Sequence, residues 1–200
     1  KKKNVVQSVK EQLKKKYDLP DKFVLYVGDA SWNKNIPSLL KAVLKTSVPL
    51  VLVGNAFLAK SEKNPWNESL EEAKELAKNQ KDIVMTGYVP QEDLVLLYNL
   101  ATACVVPSFY EGFGLSVLEA MSCGCPVISS SGGSLGEVVG GAGYLIDPYN
   151  IENMAEGISE VFNNLNLQQQ LIKKGFKNVA KFSWEKVALE VISIYEKTRH

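Results

Sequence analysis

The sequence predicts an α/β domain built on a doubly wound parallel sheet, from three observations. Short apolar runs alternate with amphipathic stretches from one end of the 200-residue chain to the other, the order of strands and crossover helices. The runs are rich in Val, Ile and Leu without polar alternation, the composition of strands covered on both faces. Glycine-bearing turns follow several of them, at the carboxyl ends where such sheets open their clefts.

The first element is a short helix in which Val5, Val6, Val9 and Leu13 fall at helical spacing between lysines at 1–3 and 14–16. Its valine stripe is expected to pack and its lysine face to be solvated. The same pattern suits an anionic membrane surface, so peripheral membrane association is the second expectation for it. The first strand is expected at 23–27, followed by the loop Gly28-Asp29-Ala30-Ser31-Trp32-Asn33-Lys34-Asn35 and a helix at 36–46. Apolar runs at 50–53, 83–86, 103–106, 127–129 and 144–146 supply five more strands. Helical periodicity or composition occupies 69–79, 92–100, 115–122, 133–139, 151–163 and 167–180, while 55–65 has no period and reads as a surface loop. A closing helix from Ser183 to about residue 197 has a serine cap and a stripe of Trp184, Val187, Val191, Ile194 and Tyr195,. The sum is a single Rossmann-like domain of about six strands over residues 1–200, without repeats or linkers.

Composition narrows the function. The chain is 46% hydrophobic and 22% charged with net charge +1, which argues against disorder and against a general nucleic-acid surface. No apolar run reaches membrane-spanning length and no signal peptide is visible, so a cytoplasmic location is expected, at the membrane surface if the first helix binds there. Cys104, Cys123 and Cys125 lack the paired spacing of a zinc site and are expected as buried, reduced thiols. The only histidine, His200, sits at the chain end, which leaves no Ser-His-Asp or Cys-His arrangement. The chain starts Lys1-Lys2-Lys3 rather than with methionine, and its length leaves no room for two nucleotide-binding domains,. It is read as the carboxyl-terminal part of a longer protein.

The segment Pro107-Ser108-Phe109-Tyr110-Glu111-Gly112-Phe113-Gly114-Leu115-Ser116-Val117-Leu118-Glu119-Ala120 concentrates the chemistry. Gly112 and Gly114 let the backbone turn sharply and approach a ligand, and the free N–H groups of the following helix favour an anion such as a diphosphate. Carboxylates beside a diphosphate repel it unless each is aimed at a neutral donor. Hydroxyls of a sugar and a ribose are such donors, and one carboxylate accepts both hydroxyls of a vicinal diol. Glu119 lies about one turn inside the helix and leans back toward its start, so both glutamates reach one mouth.

Glu111 and Glu119, seven residues apart in Tyr-Glu-Gly-Phe-Gly-Leu-Ser-Val-Leu-Glu-Ala-Met-Ser-Cys-Gly-Cys-Pro-Val-Ile, resemble the E-x7-E signature of retaining glycosyltransferases with the GT-B fold. The resemblance extends through Leu25-Tyr26-Val27-Gly28, Lys34-Asn35, Thr86-Gly87-Tyr88-Val89-Pro90, Ser134-Leu135-Gly136-Glu137-Val138-Val139 and Phe182-Ser183-Trp184-Glu185-Lys186. It implies the donor-binding half of an enzyme that moves a hexose from a GDP- or UDP-linked sugar to an acceptor hydroxyl. The acceptor half lies outside this chain, and the terminal helix, about 183–198, crosses to it. The implied catalytic residues are Glu111, which orients the hexose, and Lys34, which neutralises phosphate. The implied donor-binding residues are Gly28, Lys34, Glu111, Gly112, Phe113, Gly114, Leu115 and Glu119, the last on the ribose. Tyr88 and Val89 stand where the family contacts the nucleobase, although Tyr88 also reads as a half-buried aromatic. Many members carry arginine where this chain has Asp29, so only one of two expected cations is present; Asp29 suits a turn cap. With no Asp-x-Asp pair, no metal and no cofactor are expected, and helix N–H groups serve the phosphates,. The Gly132-Gly133-Ser134 turn is expected to shape the same cleft, with Glu137 solvated.

Three other readings remain beside it: a retaining glycosidase using the two glutamates, a nucleotide-sugar-binding module without catalysis, and a flavodoxin-like regulatory domain. The glycine turns oppose the first, and the last has no phosphoacceptor aspartate in an acidic pocket.

Overall fold

The computed structural model describes residues 6–59 and 67–198. Six strands, β1 (Val24–Val27), β2 (Leu50–Val53), β3 (Ile83–Gly87), β4 (Ala103–Val106), β5 (Val127–Ser129) and β6 (Tyr144–Leu145), form one sheet in the order β3-β2-β1-β4-β5-β6. All pairings are parallel, and β1 is central, with Val24 opposite Leu50 of β2 on one side and Ala103 of β4 on the other. The chain leaves β1 toward one edge and β4 toward the other. The loops after these two strands therefore diverge and leave a crevice at the carboxyl end of the sheet.

Apolar runs become strands here because both faces are covered. Alternate residues point to opposite faces. Leu25, Val51, Val53, Cys104 and Val106 pack with Leu97 of α5 (Gln91–Leu100), Val117 and Met121 of α6 (Leu115–Ser122) and Leu135 of α7 (Leu135–Val139). Val24, Tyr26, Leu50, Leu52, Ala103 and Val105 pack with Leu39 and Leu40 of α2 (Ile36–Leu44), Leu70 and Ala73 of α4 (Glu68–Ala77) and Met154 and Ile158 of α8 (Ile151–Asn163). Gly175 of α9 (Leu165–Val179) has room for little more than hydrogen, since a Cβ there would sit 3.1 Å from Met121, and α9 closes against α6 at this point.

Helix α1 (Gln7–Tyr17) packs as the valine stripe predicts, with Leu13 buried and Val9 against the core, while Val6 is exposed. Lys16 Nζ and Tyr17 Oη both donate to Asp93 Oδ2, at 2.6 and 2.7 Å, which ties α1 to α5. The two donors, Lys16 first, hold the Asp93 carboxyl below its usual range. The lysines at 1–3 and Val5 lie outside the described residues, and no helix among the described residues is long and apolar enough to cross a membrane.

Several boundaries differ from the sequence expectation. The segment expected as a loop at 55–65 opens with a single helical turn, α3 (Asn55–Leu58), because Phe57 inserts into the core beside Tyr26; residues 60–66 of that segment lie outside the described residues. Helix α7 begins at Leu135 instead of 133, since Gly133 has φ +63° and pairs with Glu111 as an isolated parallel bridge. The edge strand β6 is only two residues long.

The terminal helix α10 (Trp184–Lys197) is capped by Ser183, whose Oγ accepts from Lys186 N at 3.2 Å. None of its residues is buried, and Trp184, Ile194 and Tyr195 stand open on the expected stripe. The three cysteines are free and buried. Burial pushes the thiols of Cys104 and Cys125 well up, so they act as small packing groups and not as nucleophiles.

Candidate functional site

The crevice is assembled from the β1 loop, the β4 loop and the start of α6. A Cβ at Gly28 would meet Tyr26 Oη at 2.7 Å, and a Cβ at Gly54 would meet the Gly28 carbonyl oxygen at 1.9 Å. The loops after β1 and β2 thus pack backbone to backbone. Tyr26 Oη, buried and pushed to high pKa first by desolvation, donates to the Asp29 carbonyl at 2.7 Å. Asp29 Oδ1 accepts from Ser31 N at 3.0 Å and Ser31 Oγ at 2.6 Å, so Asp29 caps its own turn,. Residues Trp32–Lys34 make a 3₁₀ turn that ends in Asn35 at φ +58°, a conformation asparagine tolerates better than branched residues.

Hydrogen bonds at Asn33 help join this loop to the one after β4. Phe109 N donates to Asn33 O at 2.8 Å, and Asn33 Nδ2 donates to Tyr110 O at 3.1 Å. The joined loops bring Lys34 Nζ to 2.8 and 2.9 Å from the two carboxylate oxygens of Glu111, whose Oε1 also accepts from Ser108 Oγ at 2.7 Å. With side-chain exposures of 21% for Lys34 and 14% for Glu111, the pair is screened far less than a surface bridge,.

The Glu111 loop is held from below. Ser134 N and Oγ reach the Glu111 carbonyl at 3.1 and 3.0 Å, and Ser134 Oγ reaches the Phe113 carbonyl at 2.8 Å. The Gly132-Gly133-Ser134 turn therefore shapes the cleft by supporting it and does not line it, and Glu137 is exposed as expected. Gly114 has φ +98° and precedes α6, with Leu135 packed where a Cβ would project. The first N–H groups of α6, on Leu115 and Ser116, have no acceptor within the helix. One turn on, Glu119 Oε2 accepts from Tyr98 Oη at 3.0 Å. Burial, ahead of the nearby charges, raises the Tyr98 phenol well above its usual range, so it remains a donor.

Lys34, Glu111, Phe113, Gly114, Leu115 and Glu119 line one cleft of about 370 Å³. Lys34 is its single cation among the described residues. Gly28 and Gly112 stand in the flanking loops without lining it. Tyr88 is 71% exposed instead of half-buried, and the Val89 side chain is in the core, which leaves only its backbone for a ligand. Neither borders this cleft. No role was expected for Ser108, Tyr98 or Asn35; Ser108 acts on Glu111 three residues on, whereas the roles of Tyr98 and Asn35 follow from partners far away in sequence. Among the described residues no group of three or more His, Cys, Asp or Glu side chains could hold a metal ion.

A family model described as "Glycosyl transferases group 1" matches residues 9–178. The chain belongs to the group 1 glycosyltransferases. This glycosyltransferase domain is 36% identical over 181 residues to the O-antigen chain mannosyltransferase B of Escherichia coli, covering 87% of the domain and 45% of the relative. It thus spans about half the length of that protein. Among solved structures, sucrose-phosphate synthase from Thermosynechococcus elongatus superposes with a TM-score of 0.77 at 28% identity, over 94% of the domain and 48% of the synthase. The C-terminal domain of a group 1 family protein from Francisella tularensis shares the fold at a TM-score of 0.67 and 22% identity, with 85% of the domain and 90% of that chain covered. The parallel Rossmann-like sheet is that of a GT-B half domain.

Proposed function

We propose that the domain holds a nucleoside diphosphate hexose in the β1/β4 crevice and serves a two-domain enzyme that transfers the hexose, with retention, to a hydroxyl of a growing glycan. The observation that carries the proposal is the bidentate Lys34–Glu111 pair, set where α6 begins and on the same mouth as Glu119. Lysine has three donors, and two are aimed at Glu111, so one is left for a phosphate oxygen. Lys34 then sits at the junction of hexose and diphosphate, where negative charge grows as the leaving group departs. Glu111, kept in place by Ser108, accepts hexose hydroxyls; the backbone from Phe113 to Leu115 cradles phosphate; and Glu119, oriented by Tyr98, takes the ribose diol. The mannosyltransferase relatives favour mannose as the hexose and a glycan chain as the acceptor. The open stripe of α10 is the surface that would meet the acceptor half, and the domain alone is expected to bind donor without transferring it.

Titration calorimetry of UDP, GDP and their hexose conjugates, run with a chelator present, tests the assignment. Glu119→Gln should weaken nucleoside diphosphate binding by about 1–3 kcal/mol, the scale of a charge-assisted hydrogen bond. Glu111→Gln should spare the bare nucleotide and lower turnover in the two-domain enzyme. Equal losses for both variants, or binding abolished by the chelator, would contradict these roles.

A further inference from the structure

The sheet opens along one seam. β1 pairs with β2 along its whole length, to Val27 opposite Val53, and β4 pairs with β5 as far as Val106 opposite Ser129. Between β1 and β4 the register ends at Leu25 opposite Cys104, although the two strands run on to Val27 and Val106. Ladder hydrogen bonds are what fix the spacing of neighbouring strands. Beyond Leu25 and Cys104 they no longer set the distance between the loops that carry Lys34 and Glu111.

Asn35 spans that gap. The residue is 2% exposed, and its Nδ2 donates to Pro107 O at 3.1 Å and to Pro148 O at 2.7 Å, which uses both N–H groups of the amide,. Asn35 directly follows Lys34, and Pro107 directly precedes Ser108, whose hydroxyl holds Glu111 Oε1. The tie therefore joins the backbone at the roots of both members of the ion pair. On its other side the β4 loop is anchored to β5, where Ser130 N donates to Val106 O at 3.0 Å and Ser130 Oγ donates to Ser108 O. Asn35 supplies the buried anchor on the β1 side. The ties at Asn33 reach Phe109 and Tyr110, further out toward solvent.

The residue type follows from this geometry. A φ of +58° suits glycine or asparagine,, and of those two only asparagine has a side-chain donor. We propose that Asn35 is a positioning residue that sets the width of the crevice and, through it, the geometry of the Lys34–Glu111 pair. Its part in the reaction rests on the donor reading above. Asn35 does not line the cleft, so its effect passes through the pair.

Asn35→Gly tests the role, because glycine keeps the left-handed backbone and removes the amide alone. The two-domain enzyme is assayed with Asn35→Gly, Lys34→Ala and both, and this chain is crystallised with Asn35→Gly. In Asn35→Gly, kcat should fall about 10–100-fold, the cost of roughly an ångström of displacement. KM for the donor should change by no more than about threefold, since Glu119 and the α6 N–H groups stay in place. The double variant should be no more than about threefold slower than Lys34→Ala alone, because the tie works through the pair. In the crystal, Lys34 Nζ and the Glu111 carboxylate should stand more than about 4 Å apart, outside ion-pair range. Losses that multiply in the double variant would overturn the proposal, as would an unchanged pair in the crystal or a parent-like kcat beside a slowed Lys34→Ala. If Lys34→Ala itself keeps the parent turnover, the donor reading falls, while a separated pair in the crystal still supports Asn35 as the tie that sets the crevice.

Discussion

Lys34→Ala should lower turnover of the two-domain enzyme by about 10²–10³-fold, the loss seen when one preorganised partner of a developing negative charge is removed. It should also weaken nucleoside diphosphate binding in the isolated domain, because no second cation among the described residues lines the cleft. The variant strands Glu111, a carboxylate 14% exposed, with Ser108 as its one remaining donor among the described residues. A loss of about 1–3 kcal/mol in folding stability should accompany it. Lys34→Met combined with Glu111→Gln should recover much of that stability, since both charges are gone, but none of the activity. Chemical denaturation and single-turnover kinetics on the same preparations separate the two effects. Turnover within a few-fold of the parent in Lys34→Ala would show that the cation is structural.

Gly132→Ala should be the most damaging change that touches no proposed ligand contact. Its Cβ would stand 2.0 Å from Phe109 O and 2.7 Å from Phe109 C. Those are backbone atoms that cannot rotate away. The loop must move, at about 1–3 kcal/mol or more, as for other overpacked sites. Because this loop carries both Phe109 and Glu111, an ångström of displacement should also cost on the order of 10²-fold in turnover. Gly112→Ala is the control for stability. A Cβ there meets nothing within 4 Å, and its melting should change by no more than about 0.5 kcal/mol. If the two variants melt alike, the support given by the Gly132 turn to the Glu111 loop is overestimated.

The contrast between these glycines shows what the sequence can convey. Each motif glycine signals an unusual backbone, but Gly112 faces open space while Gly132 and Gly133 press against the loop after β4, and only the fold separates them. The strands are legible because burial on both faces demands unbroken apolar runs such as Ala103 to Val106. The short helix at Asn55–Leu58 is not legible, since one buried side chain, Phe57, creates it. Glu111, Glu119 and Lys34 are legible through local spacing and resemblance. Their supports are not. Ser108 bonds Glu111 within one loop, a contact no periodicity announces, while Tyr98, Ser134 and Asn35 draw their meaning from partners brought close by crossovers, and Asn35 reaches Pro148 across 113 residues. The segment expected to meet a nucleobase is the opposite case: Tyr88 and Val89 stand out in the sequence, but the fold puts one ring in solvent and the other side chain in the core.

The most direct test of the donor assignment is a crystal structure of the domain with a nucleoside diphosphate hexose. A phosphate oxygen should lie about 3 Å from Lys34 Nζ and from an N–H at the start of α6, with hexose hydroxyls on Glu111 and the ribose diol on Glu119. A nucleotide seated instead in the apolar groove between α6 and α10, lined by Leu118, Val179 and Trp184, with the Lys34–Glu111 pair untouched, would contradict it.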